Sequence, residues 1–508
     1  MKKISIFIAV AALAAGAMSC SKAEYCYDGF YDMNGGIYAN EDGQEQPQPG
    51  DSFNEIKEND FIATVTQPVS TFSVDADGAT YAYMRRCIRE NKSLPPKNSV
   101  RIEEYLNYFT FDYPDPTGSE TLAINAELGE CPWNAQHKLL RLGLKGKSLQ
   151  DREIPDANYI LLIDVSGSMN GSDRLDLVKK GLTTMINYMK PTDRIAIITY
   201  SGEVKKLLES TLVKDAASIK KAIKGLVASG CTAGGSAMKM AYEEATAHYV
   251  KGGNNRIIMC TDGDFNVGVS STEELVEMVE SYQDKGIYLS IMGFGYGNFQ
   301  DSRMENLSNH GNGTYTYIDS EEEMMKVFVS ERSHFWAVAN DTKCQVRFNP
   351  EVVDQYRLIG YENRMMSQEE FEDSKKDAGE IGSGQTVTAL YEVVLKDVDL
   401  VADADAPVLA TFETRYKLSL KDAESRSLIR NVYYPGDNPD GGPAPSENQR
   451  FAAGVTAYGL VLLQSEYKGS ATVAMAYELV KGAQSFDPDG FRAQLLKLMA
   501  GYDKTLEQ

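Results

Sequence analysis

Histidine is nearly missing from this 508-residue chain: only His137, His248, His310 and His334 occur. None of them lies close in sequence to the oxygen-rich cluster described below. No nucleophile elbow, P-loop or zinc-ligand spacing is present either, so a hydrolase working through carboxylates alone is the one enzymatic reading left standing. Basic charge is also short. Lys+Arg total 51 against 73 Asp+Glu, a formal net charge of −22, and no basic face is available to neutralise nucleic-acid phosphates. The seven cysteines are widely and irregularly spaced, with no C-x-x-C pair for metal or redox work. After residue 18 no apolar run is long enough to span a bilayer.

The apolar run that does occur is at the start. Lys2 and Lys3 precede Ile4 to Met18, and Ala17-Met18-Ser19-Cys20 follows. This resembles a bacterial lipoprotein signal, with Ala17 where such a box usually has Leu, and the resemblance implies cleavage before Cys20 and a lipid on its thiol. From Lys22 to Asp60 there are ten Asp/Glu and two Lys, together with Gly35-Gly36, Pro47 and Pro49. That composition reads as an acidic flexible linker. The length then calls for two to four domains, and 43% apolar residues can build their cores.

The chain is organised around Tyr159-Ile160-Leu161-Leu162-Ile163-Asp164-Val165-Ser166-Gly167-Ser168-Met169. An apolar run without alternation predicts a strand covered on both faces, as in a parallel sheet flanked by helices. Asp164, Ser166 and Ser168 follow at alternate positions, which share one side of an extended segment. A carboxylate and two hydroxyls are hard oxygen donors, suited to Mg²⁺ rather than zinc or copper. From about Ala157 to Ser333 strand and helix patterns alternate, predicting a doubly wound sheet that binds ligands beyond its strand carboxyl ends. Ser229-Gly230-Cys231-Thr232-Ala233-Gly234-Gly235 is a glycine-rich turn able to bring Thr232 to that edge. Thr261-Asp262-Gly263 closes another apolar strand there. Ser166 and Thr232 as helix caps, with the two Asp as turn formers, is the purely structural alternative.

Jointly and in this order, the three clusters resemble the metal-ion-dependent adhesion site of von Willebrand factor type A (VWA) domains. The resemblance implies direct metal contacts from Ser166, Ser168 and Thr232, with Asp164 and Asp262 acting through bound water. Thr71-Phe72-Ser73-Val74-Asp75, Tyr81 to Arg86, and Leu94-Pro95-Pro96 to Phe109 resemble the leader module of a bacterial family of VWA-domain lipoproteins. Arg357 to Arg364, and Lys376 to Gly382 running into Thr386 to Glu392, resemble the same family's carboxy-terminal module.

The expected architecture is an α/β doubly wound, Rossmann-like VWA domain flanked by a β-sandwich-like region and helical segments. Along the chain this gives a signal peptide (1–19), the acidic linker (20–60), a helical VWA-associated module (61–118) and strands that pack with the later β region (119–150). The VWA domain (157–333), the sandwich-like region (335–435), a Pro/Gly-rich linker (436–446) and a helical segment (447–508) follow. The expected function is that of an exported binding or scaffold protein, not an enzyme. It is tethered through Cys20 to a bacterial envelope membrane, the outer one, on its periplasmic or surface face. Mg²⁺, with Mn²⁺ or Ca²⁺ as substitutes, would be completed by an Asp or Glu carboxylate of a protein partner. A looser similarity to calcium-activated chloride channel proteins gives the alternative, an accessory part of a membrane or channel-like assembly.

Overall fold

The computed structural model describes residues 53–230, 235–263, 272–283, 285–295, 301–397, 407–434 and 445–506. The signal peptide, Cys20, most of both linkers and Thr232 lie outside these residues. Described residues form an α/β layer and an antiparallel sandwich, with a helical layer packed on the sandwich.

The α/β layer has a six-stranded sheet ordered Tyr315–Tyr317, Ile287–Gly293, Asn254–Thr261, Ala157–Asp164, Arg194–Tyr200, Val204–Leu212. All pairings are parallel except the last. Every residue of Ala157–Asp164 is buried because helices cover both faces. Ile160 and Leu162 face the helices Gly235–Ala247 and Thr272–Gln283, while Leu161 and Ile163 face Leu175–Tyr188 and Ala216–Lys224. Strand order reverses at Ala157–Asp164, so the crevice of a doubly wound fold opens beyond its carboxyl end. Val204 to Leu208, which the apolar pattern marks as a strand, extends to Leu212. Lys205, Lys206 and Glu209 on it are exposed, as suits a charged edge strand.

The sandwich is assembled from both sides of this domain. One sheet runs Ile62–Ala63, Val353–Ile359, Thr386–Leu395, Lys138–Gly146, Leu122–Glu130. The other runs Gly379–Gly382, Ala337–Phe348, Val408–Lys417, Arg426–Tyr433, with Val69–Ser73 added on Ala337–Phe348. Leu390 lies opposite Arg141 and Tyr391 opposite Leu140, so strands on either side of the α/β domain pair directly. Phe72, Leu140, Leu142, Val346, Tyr356 and Phe412 fill the space between the sheets. Residues 61–118, expected as a helical module, thus also supply two strands. Val69–Ser73 is a short Ser/Thr/Val stretch whose strand character comes from the partner it meets, not from its own period.

The amino-terminal and carboxy-terminal helices, expected as separate segments, share one core. Tyr81, Tyr105 and Leu106 pack with Phe451, Tyr458 and Leu495. At the junction of these helices with the α/β domain lies Arg85, whose side chain is 0% exposed. It donates to both oxygens of Asp319 (2.8 and 2.5 Å), to Glu323 (2.7 Å), to Tyr108 Oη (2.6 Å) and to Gln494 (3.1 Å). Tyr108 Oη in turn donates to Glu323 at 2.7 Å. Cys87, Cys131, Cys260 and Cys344 are buried, and the last three are unbridged. Among the described residues no helix is long and apolar enough to cross a membrane.

Candidate metal centre

Asp164 ends its strand and Asp262 follows the neighbouring one. Because Ile163 pairs with Cys260 in parallel register, the two carboxylates emerge side by side. Asp164 is 0% exposed. Ser166 N donates to its Oδ1 at 2.8 Å and Thr261 Oγ1 to its Oδ2 at 3.3 Å. Burial, and secondarily the charge of Asp262, push its carboxyl up to about 7 against the pull of the Ser166 hydrogen bonds. A carboxyl held this way gains when a cation arrives, since the cation favours the charged form that burial disfavours.

Past Asp164 the chain bends into a short 3-10 turn, Gly167–Met169, pinned by buried Met169. The turn brings Ser166 Oγ and Ser168 Oγ to 2.9 Å from each other, with Ser166 buried and Ser168 exposed. Gly167 N donates to Gly230 O at 2.9 Å and Ser229 N to Val165 O at 2.7 Å. These bonds tie the first loop to the glycine-rich turn that leads toward Thr232. Asp262 is 3% exposed, and its Oδ1 has no hydrogen-bond partner among the described residues. Four of the five candidate ligands therefore lie in the described crevice, and the fifth lies outside the described residues.

Composition of this donor set decides what it can hold. Among the described residues no three His, Cys, Asp or Glu side chains converge on a metal position, so a cation here depends on hydroxyls beside two carboxylates. Such donors fit a hard ion that retains water. Asp262 Oδ1 supplies a buried acceptor awaiting a donor or a cation. The residues present fit the ion.

Arg174 completes the surroundings, and the sequence pattern does not single it out. Its Nε lies 3.8 Å from Asp262 Oδ2. A Cβ on Gly295, whose φ is +79°, would stand 2.4 Å from that nitrogen, so glycine is required at this approach. The preceding residue, Asp173, accepts from Arg86 of the amino-terminal helix at 2.7 Å. Arg86 also donates to Tyr317 Oη (2.8 Å), which donates to Gly295 O (2.6 Å). The rim of the crevice is thereby fastened to a helix more than 80 residues upstream. Only its side-chain partners reveal this, and they come from distant segments.

A family model described as von Willebrand factor type A domain matches residues 158–331, and one described as von Willebrand factor matches residues 47–141. A third, described as uncharacterized protein YfbK, C-terminal, matches residues 333–504. The chain is 35% identical over 469 residues to the uncharacterized protein YfbK of Escherichia coli, covering 88% of this chain and 80% of that protein. It is 28% identical over 193 residues to the uncharacterized protein sll0103 of Synechocystis, covering 37% and 44% respectively. A solved von Willebrand factor type A structure from Catenulispora acidiphila superposes with a TM-score of 0.43 at 12% identity, covering 77% of this chain and 91% of that one. The three family models and the 35% identity to YfbK show that the chain belongs to the YfbK-like family of bacterial proteins built around a von Willebrand factor type A domain.

Proposed function

We propose that this protein is an exported, lipid-anchored and non-catalytic binding protein whose VWA domain captures a protein partner through a divalent cation, Mg²⁺ for preference. Ser166, Ser168 and Thr232 would hold the ion directly, and Asp164 and Asp262 would hold its waters. Bound there, the ion supplies positive charge to a partner's Asp or Glu carboxylate. The observation that carries this reading is the buried carboxylate pair at the strand-order reversal, with one Asp262 oxygen that has no hydrogen-bond partner among the described residues. With only neutral hydroxyls as direct protein ligands and both carboxylates acting through water, the ion would keep positive character toward an incoming ligand, which a recognition site needs.

Asp164→Ala is expected to abolish cation binding while leaving the sheet intact. Added Mg²⁺ should raise the wild-type Tm by an amount that grows with concentration, about 2.7 kcal/mol of stabilisation at one hundred times Kd. The variant should not respond. Without metal the variant should be at least as stable as the wild type, because a buried, repelled carboxylate has been removed. The same pair then tests recognition. A partner drawn from a membrane extract by the wild type should be lost in chelator and with Asp164→Ala. Equal capture by both proteins in chelator would place recognition on another surface.

The anchor rests on the charged start, the apolar core and the small residues before Cys20. Cys20→Ala is expected to shift the protein from the membrane fraction to the soluble envelope fraction. Retention of the variant in the membrane fraction at the parental level defeats the lipid reading.

A further inference from the structure

A polar cavity of about 570 Å³ opens between the sandwich and the amino-terminal edge of the six-stranded sheet. This is the end of the sheet opposite Asp164 and Asp262. Much of its charge is already matched. Arg364 donates to Asp75 at 2.8 Å and to Asn309 at 2.7 Å. Glu305 pairs with Arg101 at 2.7 Å, and Glu370 with Lys376 at 2.9 Å. Arg256 gives its terminal nitrogens to Ser290 (2.6 Å) and the Phe335 carbonyl (3.0 Å).

Asn312, Asp377 and Glu380 are not matched in this way. Asn312 is 2% exposed and lines the cavity. Its carbonyl oxygen accepts from Gln283 Nε2 at 2.5 Å, whereas its own Nδ2 has no hydrogen-bond partner among the described residues. The same Gln283 nitrogen donates to Asp377 Oδ1 at 2.6 Å, so Asn312 and Asp377 stand one side chain apart. Glu380, also on the wall, has a buried Oε1 without a hydrogen-bond partner among the described residues. Its carboxyl is held well above the usual range by burial, then by Asp377 and Asp341. Asp377 is pushed up to about 7 by burial and by the neighbouring Asp341. A buried polar group without a partner costs roughly 1–3 kcal/mol, so a donor and an acceptor that line one cavity, each without a partner among the described residues, describe a ligand that carries both complements.

Candidate ligand chemistries separate on this wall. An anion would meet the carboxyl groups of Asp377 and Glu380, while Arg256 and Arg364 nearby are already engaged by Ser290, the Phe335 carbonyl, Asp75 and Asn309. A bare divalent ion lacks a converging set of three carboxylates among the described residues. A neutral polyol would leave the carboxylate repulsion in place. We propose that the cavity binds an arginine residue, with Asp377 and Glu380 receiving its guanidinium group and Asn312 Nδ2 donating to its carbonyl or carboxylate oxygen. The volume lies within the range of small-molecule sites and leaves space for flanking atoms. The residue comes either as a free amino acid or within a peptide.

The test uses the full chain in chelator, so that the crevice at Asp164 takes no part. Calorimetry and Tm are followed with free L-arginine, with N-acetyl-Gly-Arg-Gly-amide, and with the citrulline counterpart of each. At least one arginine probe is expected to bind saturably and raise Tm, and which one does identifies the source. Citrulline should bind at least about tenfold more weakly, as should the arginine probe to Glu380→Gln and Asp377→Asn; tenfold is about 1.4 kcal/mol. Both variants relieve repulsion and are expected to melt no lower than the parent, so either serves if the other folds poorly. Absence of saturable binding by both arginine probes overturns the proposal, as does equal binding by citrulline or by the variants.

Discussion

Arg85→Ala is expected to lower stability by about 3–5 kcal/mol, the scale seen when one partner of a buried ion pair is removed. The substitution leaves Asp319 and Glu323, at 3% and 2% exposure, with no cation to answer them, and opens space where a long aliphatic stem was packed. Much of the loss is the penalty of the stranded carboxylates and not the worth of the pairs. Arg85→Met with Asp319→Asn and Glu323→Gln should therefore recover a large part of it. Denaturant titration of the parent, the single variant and the triple variant checks this. A triple variant no more stable than Arg85→Ala would show that the guanidinium's geometry, and not the buried charge, governs this junction.

Acid is expected to weaken the fold through His334. Burial first, then the charges of Lys326 and Lys145, push its imidazole down to about 3 from an ordinary 6.5. Between those values the unfolded chain takes up a proton that the folded chain refuses. The contribution is therefore fully present above pH 6.5 and is lost as pH falls toward 3. That gap corresponds to about 4–5 kcal/mol at 1.36 kcal/mol per pH unit. With 19% of the side chain exposed, water relieves part of it, and a loss of about 3 kcal/mol is expected. Carboxylates also titrate here, so the informative quantity is the difference between parent and His334→Gln in the pH dependence of the denaturation midpoint. Identical pH dependence in the two proteins would remove His334 from the account.

What could be read from the sequence is what local pattern encodes. Ile160 to Ile163 run apolar without alternation because both faces are covered, and Asp164 and Asp262 stand out because each ends such a run. The alternation of α and β patterns between Ala157 and Ser333 carries the doubly wound layer for the same reason. Arg85 and Arg86 on their helix, and Arg174 in the turn before Leu175–Tyr188, were not legible, since an arginine has the same local signature whether it points to water or closes a buried network. Asn312, Asp377 and Glu380 meet only because 94 residues separate Gln283 from its Asp377 acceptor without separating them in space. Nor does Val69–Ser73 announce itself as a strand, because Ala337–Phe348, the partner that makes it one, lies far along the chain.

The pairing of Lys138–Gly146 with Thr386–Leu395 has a consequence in time. His137 and its acceptor Glu392 are 255 positions apart, so Leu122–Glu130 and Lys138–Gly146 emerge well before Thr386–Leu395, the strand that the second of them pairs with. At about 5–20 residues per second the wait is roughly 13–50 s, during which the whole VWA layer can close by shorter-range contacts. Leu140 and Leu142 meanwhile have no opposite sheet. The nascent chain thus carries a finished α/β domain beside a bare hairpin, and the hairpin is where a holding chaperone would act.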